Sequence, residues 1–306
     1  MRPIKFLRFL RQFAVLVQRN LQLIWNDKLL LASLALQSPF MVLVVKLTAD
    51  PNCFTSNLVN IGSRTALFIL AAMATFMGTL NSYREICKDR EIILREASVG
   101  VGLPAVVLSK AFVLLLVEVL QAVVLAVGFV SIVHVPQNHL LLETDAEIFI
   151  TLLLTMFSSS CVGLLISALF TSGESAILAV LVLMIGQVVF SNVMFTVTGA
   201  AATISNIIVC RWGMGALGAS TDLNSRMAWL QAGLDGPMYD ATVENLTHSW
   251  QMLGLISVVC LVAARGWCCR LPLTGKRREV SRGQRPTVPD MSFIIHSINK
   301  PQALDI

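Results

Sequence analysis

Apolar and polar positions follow two patterns along this chain. Six apolar stretches, each near the roughly 20 residues that cross hydrocarbon, predict membrane spans. They lie at 29–48, 64–82, 104–134, 147–171, 175–199 and 250–269. Residues 4–24, before the first span, are patterned differently. At about 100° per residue, Lys5, Arg8, Arg11, Gln12, Gln18, Arg19 and Gln22 share one helical face, and Phe6, Phe9, Leu10, Phe13, Leu16, Leu21 and Ile24 the other. Such a helix lies in the headgroup plane rather than crossing the bilayer. Residues 1–28 are therefore read as an amphipathic connecting helix, with Trp25 at the interface. Pro39 predicts a kink in the first span, which a bundle tolerates because neighbours re-satisfy the backbone. The third span exceeds the required length and is expected to tilt or project.

One stretch interrupts the apolar pattern. Residues 81–100 read NSYREICKDREIILREASVG, with Arg84, Lys88, Arg90 and Arg95 beside Glu85, Asp89, Glu91 and Glu96. Ionised side chains are expensive in hydrocarbon, so the segment must reach water. A charge run between spans is ordinarily just a solvated loop. Two features favour a lever at 83–100 through which a soluble motor moves the flanking spans. Glu91 and Arg95 stand at i,i+4 in the order that supports a helix. Ile86, Ile92, Ile93 and Leu94 interleave with the charges and predict an apolar face that docks on a partner.

Composition agrees with the pattern. The chain is 56% hydrophobic and 13% charged, against about 25% charged in soluble domains. Its mean hydropathy is +0.75. The expected fold is an all-α integral membrane protein of six transmembrane helices. Of the 23 Lys and Arg residues, 19 fall in 1–28, 84–95, at Lys110 and in 265–300. The positive-inside rule then puts both termini in the cytoplasm of a plasma-membrane protein. The remaining four are Lys46, Arg64, Arg211 and Arg226. The outer segment 200–249 holds Gly213, Gly215, Gly218, Trp212 and Trp229. It is too broken for a span and too apolar for a plain loop, and reads as short re-entrant helices. Asn245-Leu246-Thr247 is a glycosylation sequon. The tail 271–306 is basic and polar, with the runs GKRRE and RGQR. It is expected to be disordered, either solvated or resting on anionic lipid.

Catalytic signatures are missing. No G-x-x-x-x-G-K-[ST] loop occurs, since Gly275-Lys276 is followed by Arg277. There is no H-E-x-x-H and no G-x-S-x-G. Seven cysteines show no CxxC, and His134, His139, His248 and His296 are scattered. No enzyme site, metal site, bound cofactor or nucleic-acid partner is expected. Nor does a small-residue cleavage pattern mark a signal peptide. Glu118 lies near the middle of the third span, beside Gln121. It is either functional or an interhelical hydrogen-bonding group. Gln187 and Asn192, in the fifth span, are its candidate partners or line a pathway, and a structural hydrogen bond is the favoured reading for both.

These features together resemble the membrane domain of ABC transporters of the G (White) subfamily type, the type-2 export permease class. The amphipathic helix resembles that family's connecting helix. Arg84-Glu85, Arg90 and Leu94-Arg95-Glu96 resemble the E…R…(Y)RE pattern of its first cytoplasmic loop, with Ile93 and Leu94 where an aromatic residue often stands. Pro104 with Leu108-Ser109-Lys110 resembles the segment opening the third span. Arg211-Trp212-Gly213-Met214-Gly215-Ala216-Leu217 resembles the R-(Y/W)-G-(F/M)-x-A-L run of the outer re-entrant region. The resemblance covers about 5–270.

What the resemblance implies is a half-transporter body that pairs with a second membrane domain, as homodimer or heterodimer. Each body rests on an ABC ATP-binding subunit that holds ATP and magnesium. Glu85, Arg90, Arg95 and Glu96 would couple to that ATPase. Phe76 matches a stacking phenylalanine of the substrate cavity, and Val189 and Asn192 match cavity-lining positions. Without the resemblance, Phe76 reads as a packing or lipid-facing residue. The expected cargo is a lipid, drug or glycolipid. Two other readings stay open: a non-transporting scaffold or regulatory subunit, and an ion-coupled carrier using Glu118.

Overall fold

The computed structural model describes residues 3–54, 61–193, 199–227 and 236–270, which fall in one compact unit, 1–271. The predicted tail 271–306, residues 194–198 of the predicted fifth span, and residues 228–235 with Trp229 lie outside the described residues. Among the described residues the fold is all-helical. The helices are α1 (Pro3–Asn26), α2 (Lys28–Thr48), α3 (Ile61–Ser82), α4 (Arg90–Ser98), α5 (Leu103–Ile132) and α6 (Thr144–Leu169). They continue with α7 (Gly173–Val189), α8 (Ala200–Ser205), α9 (Val209–Ser220), α10 (Leu223–Met227) and α11 (Val243–Arg270).

Five helices are long and apolar enough to cross a membrane: α2, α3, α5, α6 and α11. The predicted fifth span differs from expectation. Helix α7 has 17 residues and stops at Val189, a rise of about 25 Å. The chain then turns, with Asn192 at φ +61°. The apolar run in the sequence continues past this turn, so hydropathy alone does not reveal it. The last span begins at Val243 rather than 250, because a polar first turn precedes its apolar body. Within that turn the Asn245 amide of the sequon donates to Pro237 O at 2.7 Å and Asp240 O at 3.2 Å.

The predicted amphipathic helix forms α1. The break before α2 falls at Asp27, whose carboxylate accepts from Leu30 N at 3.1 Å and caps the helix. Phe13 of α1 meets Phe112 of α5 edge-on, with ring centroids 5.7 Å apart, and Leu16 is buried in the same seam. Helix α2 is attached more loosely. Its buried residues are Ser38 and Val45, and Pro39 lies inside the unbroken helix.

The centre of the bundle is the seam between α3 and α6. It closes because small residues let the backbones approach. A Cβ added at Gly78 would overlap the Met156 carbonyl, and one added at Gly163 would lie 3.0 Å from Thr79 O. Hydroxyls then bond across the seam. Ser159 Oγ donates to Thr75 O at 2.7 Å, Ser160 Oγ to Gly78 O at 2.7 Å, and Thr79 Oγ1 and Ser159 Oγ share a bond of 2.9 Å. Above this seam sits α9, in which every residue but Arg211 is buried. Short helices are expected across 200–249, and α8, α9 and α10 are short helices within it. Beside α9, burial pushes the Tyr239 phenol above its usual range, opposed by the nearby Arg64 and Arg211 charges.

Candidate functional site

The charged segment between α3 and α5 is built on bundle contacts at each end. Residues 83–89 turn over the end of α6, where Ser167 Oγ accepts from both Ile86 N (2.9 Å) and Cys87 N (3.0 Å). Arg90 reaches the same helix end and donates to Phe170 O at 3.3 Å. Helix α4 follows, with Arg95 in its last turn. Arg19 of α1 pairs with Glu96 of α4. Gln12 of α1 spans the turn into α5, accepting from Gly102 N at 3.2 Å and donating to Gly100 O at 3.4 Å. Gly100 needs its residue type there, because its φ is +93°.

The root of the segment is Lys110, about two turns into α5. Its side chain is 2% exposed. The ammonium lies 2.6 Å from Asp89 Oδ2 and 3.4 Å from Glu85 Oε2, and Glu85 also pairs with Lys88. A buried ammonium is tolerated only when paired. These two carboxylates supply the partners, so the loop and α5 are held as one piece. In the sequence Lys110 reads as a cytoplasmic charge and as part of the Leu108-Ser109-Lys110 segment, and nothing there marks its carboxylate partners.

The predicted coupling residues therefore separate into two groups. Glu85, Arg90 and Glu96 are partnered inside the chain. Arg95 is exposed, as is Glu91. The expected Glu91–Arg95 ion pair does not form among the described residues. The predicted docking face needs correction as well. Ile86 and Ile93 are each 2% exposed and pack into the bundle with Leu16, Ala105 and Val106. Ile92 stays exposed and Leu94 half-buried. The outward surface of α4 is thus Glu91, Ile92 and Arg95, and the other isoleucines anchor it.

The intramembrane polar residues occupy separate places. Glu118 is fully buried between α5 and α6 and bonds to Ser160. Gln187 and Asn192 are not its partners. Gln187 Oε1 accepts from Cys210 N at 3.0 Å and ties α7 to α9. The Asn192 and Val193 carbonyls accept from Arg64, at 3.5 and 2.6 Å. Gln121 Oε1 accepts from Asn81 at 2.7 Å, and its amide donates to Leu34 O at 3.0 Å, linking α2, α3 and α5. Each satisfies a backbone or side-chain group that hydrocarbon would leave unpaired.

Phe76 is half-buried. It lines a mostly apolar cavity of about 270 Å³ with Phe68, Met73, Met184, Gln187 and Val188. The structure thus brings Phe76 and Gln187 to one pocket between α3 and α7. Val189 is 40% exposed and is not part of this lining, and Asn192 sits in the turn beyond it.

Comparison with known proteins agrees with this architecture. The ABC transporter ATP-binding/permease protein Rv1747 of Mycobacterium tuberculosis is 30% identical over 222 residues, which are 70% of this chain and 26% of that relative. The chain spans about a quarter of that relative's length. The model of the ABC-2 type transporter family matches residues 11–217, a region running from the amphipathic helix through the charged segment to α9. A multi-pass helical body with this match over more than half its length belongs to the ABC-2 type transporter family of membrane permease domains.

Proposed function

We propose that this chain is the permease half of an ATP-driven exporter of the G-subfamily type, with 83–100 as its coupling segment. The observation that carries the reading is the double anchoring of α4. Lys110 joins the loop to α5, Arg19 joins α4 to α1, and Glu91, Ile92 and Arg95 remain outside. A push on that surface is delivered to α5 and α1 rather than lost in a soft loop. Both termini then face the cytoplasm, consistent with the distribution of Lys and Arg.

ATP and magnesium are held by an ATP-binding domain, and two membrane bodies pair around the transport path. Closing of the ATP-binding domains favours an outward-facing state by as much as ATP prefers it. The cargo is hydrophobic or amphipathic, which suits the apolar lining around Phe76. Burial of Glu118 against Ser160 supports a packing role for it. The test is reconstitution with the ATP-binding domain in vesicles of lipid or drug cargo. ATP-dependent cargo movement supports the exporter. ATP-independent movement driven by an ion gradient overturns it, as does a complex that hydrolyses ATP and moves nothing.

A further inference from the structure

Three cavities meet around the loosely held helix α2. The first, about 450 Å³, lies between the α1–α2 break, the charged loop and α5. Its polar side carries Asp27, Glu85, Asp89, Lys88 and Lys110, and its apolar side Leu23, Leu30, Val113 and Val117 among others. The second, about 260 Å³, runs between α2 and α5 past Leu31, Ala35, Val117 and Leu120. The third, about 470 Å³, runs along another face of α2 from Leu30 past Leu36 to Phe40 and Met41, with Leu80 of α3. Leu34 lines all three.

We propose that this set of cavities binds one two-chain phospholipid with an ethanolamine head, drawn from the leaflet in which α1 lies. Charge identifies the head. The first cavity presents three carboxylates and two ammonium groups. Lys110 and Lys88 already pair with Asp89 and Glu85. Asp27 uses one oxygen to cap α2 and forms no ion pair among the described residues. The surplus of one negative charge suits a primary ammonium with three donors, while Lys88, 39% exposed, can face the phosphate. A head with no ammonium would bring a net negative charge to a wall that is already negative.

Shape identifies the tails. From Asp27 to Phe40 is about 20 Å of helix, enough to carry an acyl chain through its half, about 15 Å, of hydrocarbon. Two largely apolar grooves, with Ser38 and Gln121 in one and Ser33, Gln37 and Asn81 in the other, leave one polar chamber, as two chains leave one head. Trp25, 75% exposed, sits at the level expected of the interface.

The site stands independently of the export reading and is tested without ATP. The full chain is extracted from bilayers of equal parts phosphatidylethanolamine, phosphatidylcholine and phosphatidylglycerol, and its retained lipid is identified by native mass spectrometry. Ethanolamine lipid should dominate. Asp27→Asn keeps the helix cap and should cut that preference about tenfold, the scale of one hydrogen bond to a charged group. Leu34→Trp, which fills the junction, should remove bound lipid without lowering the melting temperature. Equal retention of the three lipids overturns the proposal. So does full preference in Asp27→Asn, or a single-chain amine that binds as well as the two-chain lipid.

Discussion

Lys110 and Asp89 meet at 2.6 Å with the lysine 2% exposed. The pair joins a loop to a membrane helix. Lys110→Met would leave Asp89 and Glu85 without their shared cation. Breaking a buried pair costs about 3 kcal/mol, less here because the carboxylates are about a fifth exposed. The loop should loosen before the bundle does. Hydrogen exchange should rise at 85–90 in Lys110→Met and fall back in Lys110→Met with Asp89→Asn.

Arg95 and Glu96 are neighbours with different surroundings. Arg95→Ala touches an exposed side chain outside the ion pairs found among the described residues, so the melting temperature should not change. Coupled transport should fall while ATP hydrolysis persists. Glu96→Ala removes the partner of Arg19. A partly exposed pair is worth about 0.2–1 kcal/mol. A double-mutant cycle of Arg19→Ala and Glu96→Ala should return a coupling energy in that range, whereas the same cycle with Arg95→Ala should return none.

At the α3–α6 seam the expectation is loss of packing. Gly78→Ala puts a methyl into the Met156 carbonyl, and overpacking costs about 1–3 kcal/mol. Thermal unfolding in detergent should move down. Gly254→Ala is the control, because an added Cβ there meets nothing within 4 Å.

Glu118→Gln separates a packing role from a carrier role. The amide keeps a group that can bond Ser160 and removes a charge that hydrocarbon disfavours. ATP-driven transport and melting temperature should hold in this variant. Transport lost together with a lost dependence on an ion gradient would instead support the carrier.

The sequence carried the long-range pattern well and the local pairings poorly. Periodicity located α1, and apolar length located α2, α3, α5, α6 and α11, because burial in lipid constrains whole segments. The end of α7 is hidden in the sequence because apolar Val193, Met194, Phe195 and Val197 resume just after Ser191 and Asn192. Ile86 and Ile93 looked like docking residues because exposure cannot be read from a mixed segment. The partners of Lys110 lie 21 and 25 residues away, and only the folded turn over α6 brings them together. Ser167 gave no signal, since one hydroxyl among several in an apolar helix is unremarkable until two backbone N–H groups converge on it.

The coupling role of α4 is tested most directly by a cysteine at position 95 in an otherwise cysteine-free chain. A membrane-impermeant thiol reagent is applied to right-side-out and inside-out vesicles, with and without the ATP-binding domain. Labelling should occur only from the cytoplasmic face and should be blocked when the ATP-binding domain is bound. Labelling from the outer face, or undiminished labelling in the assembled complex, would contradict it.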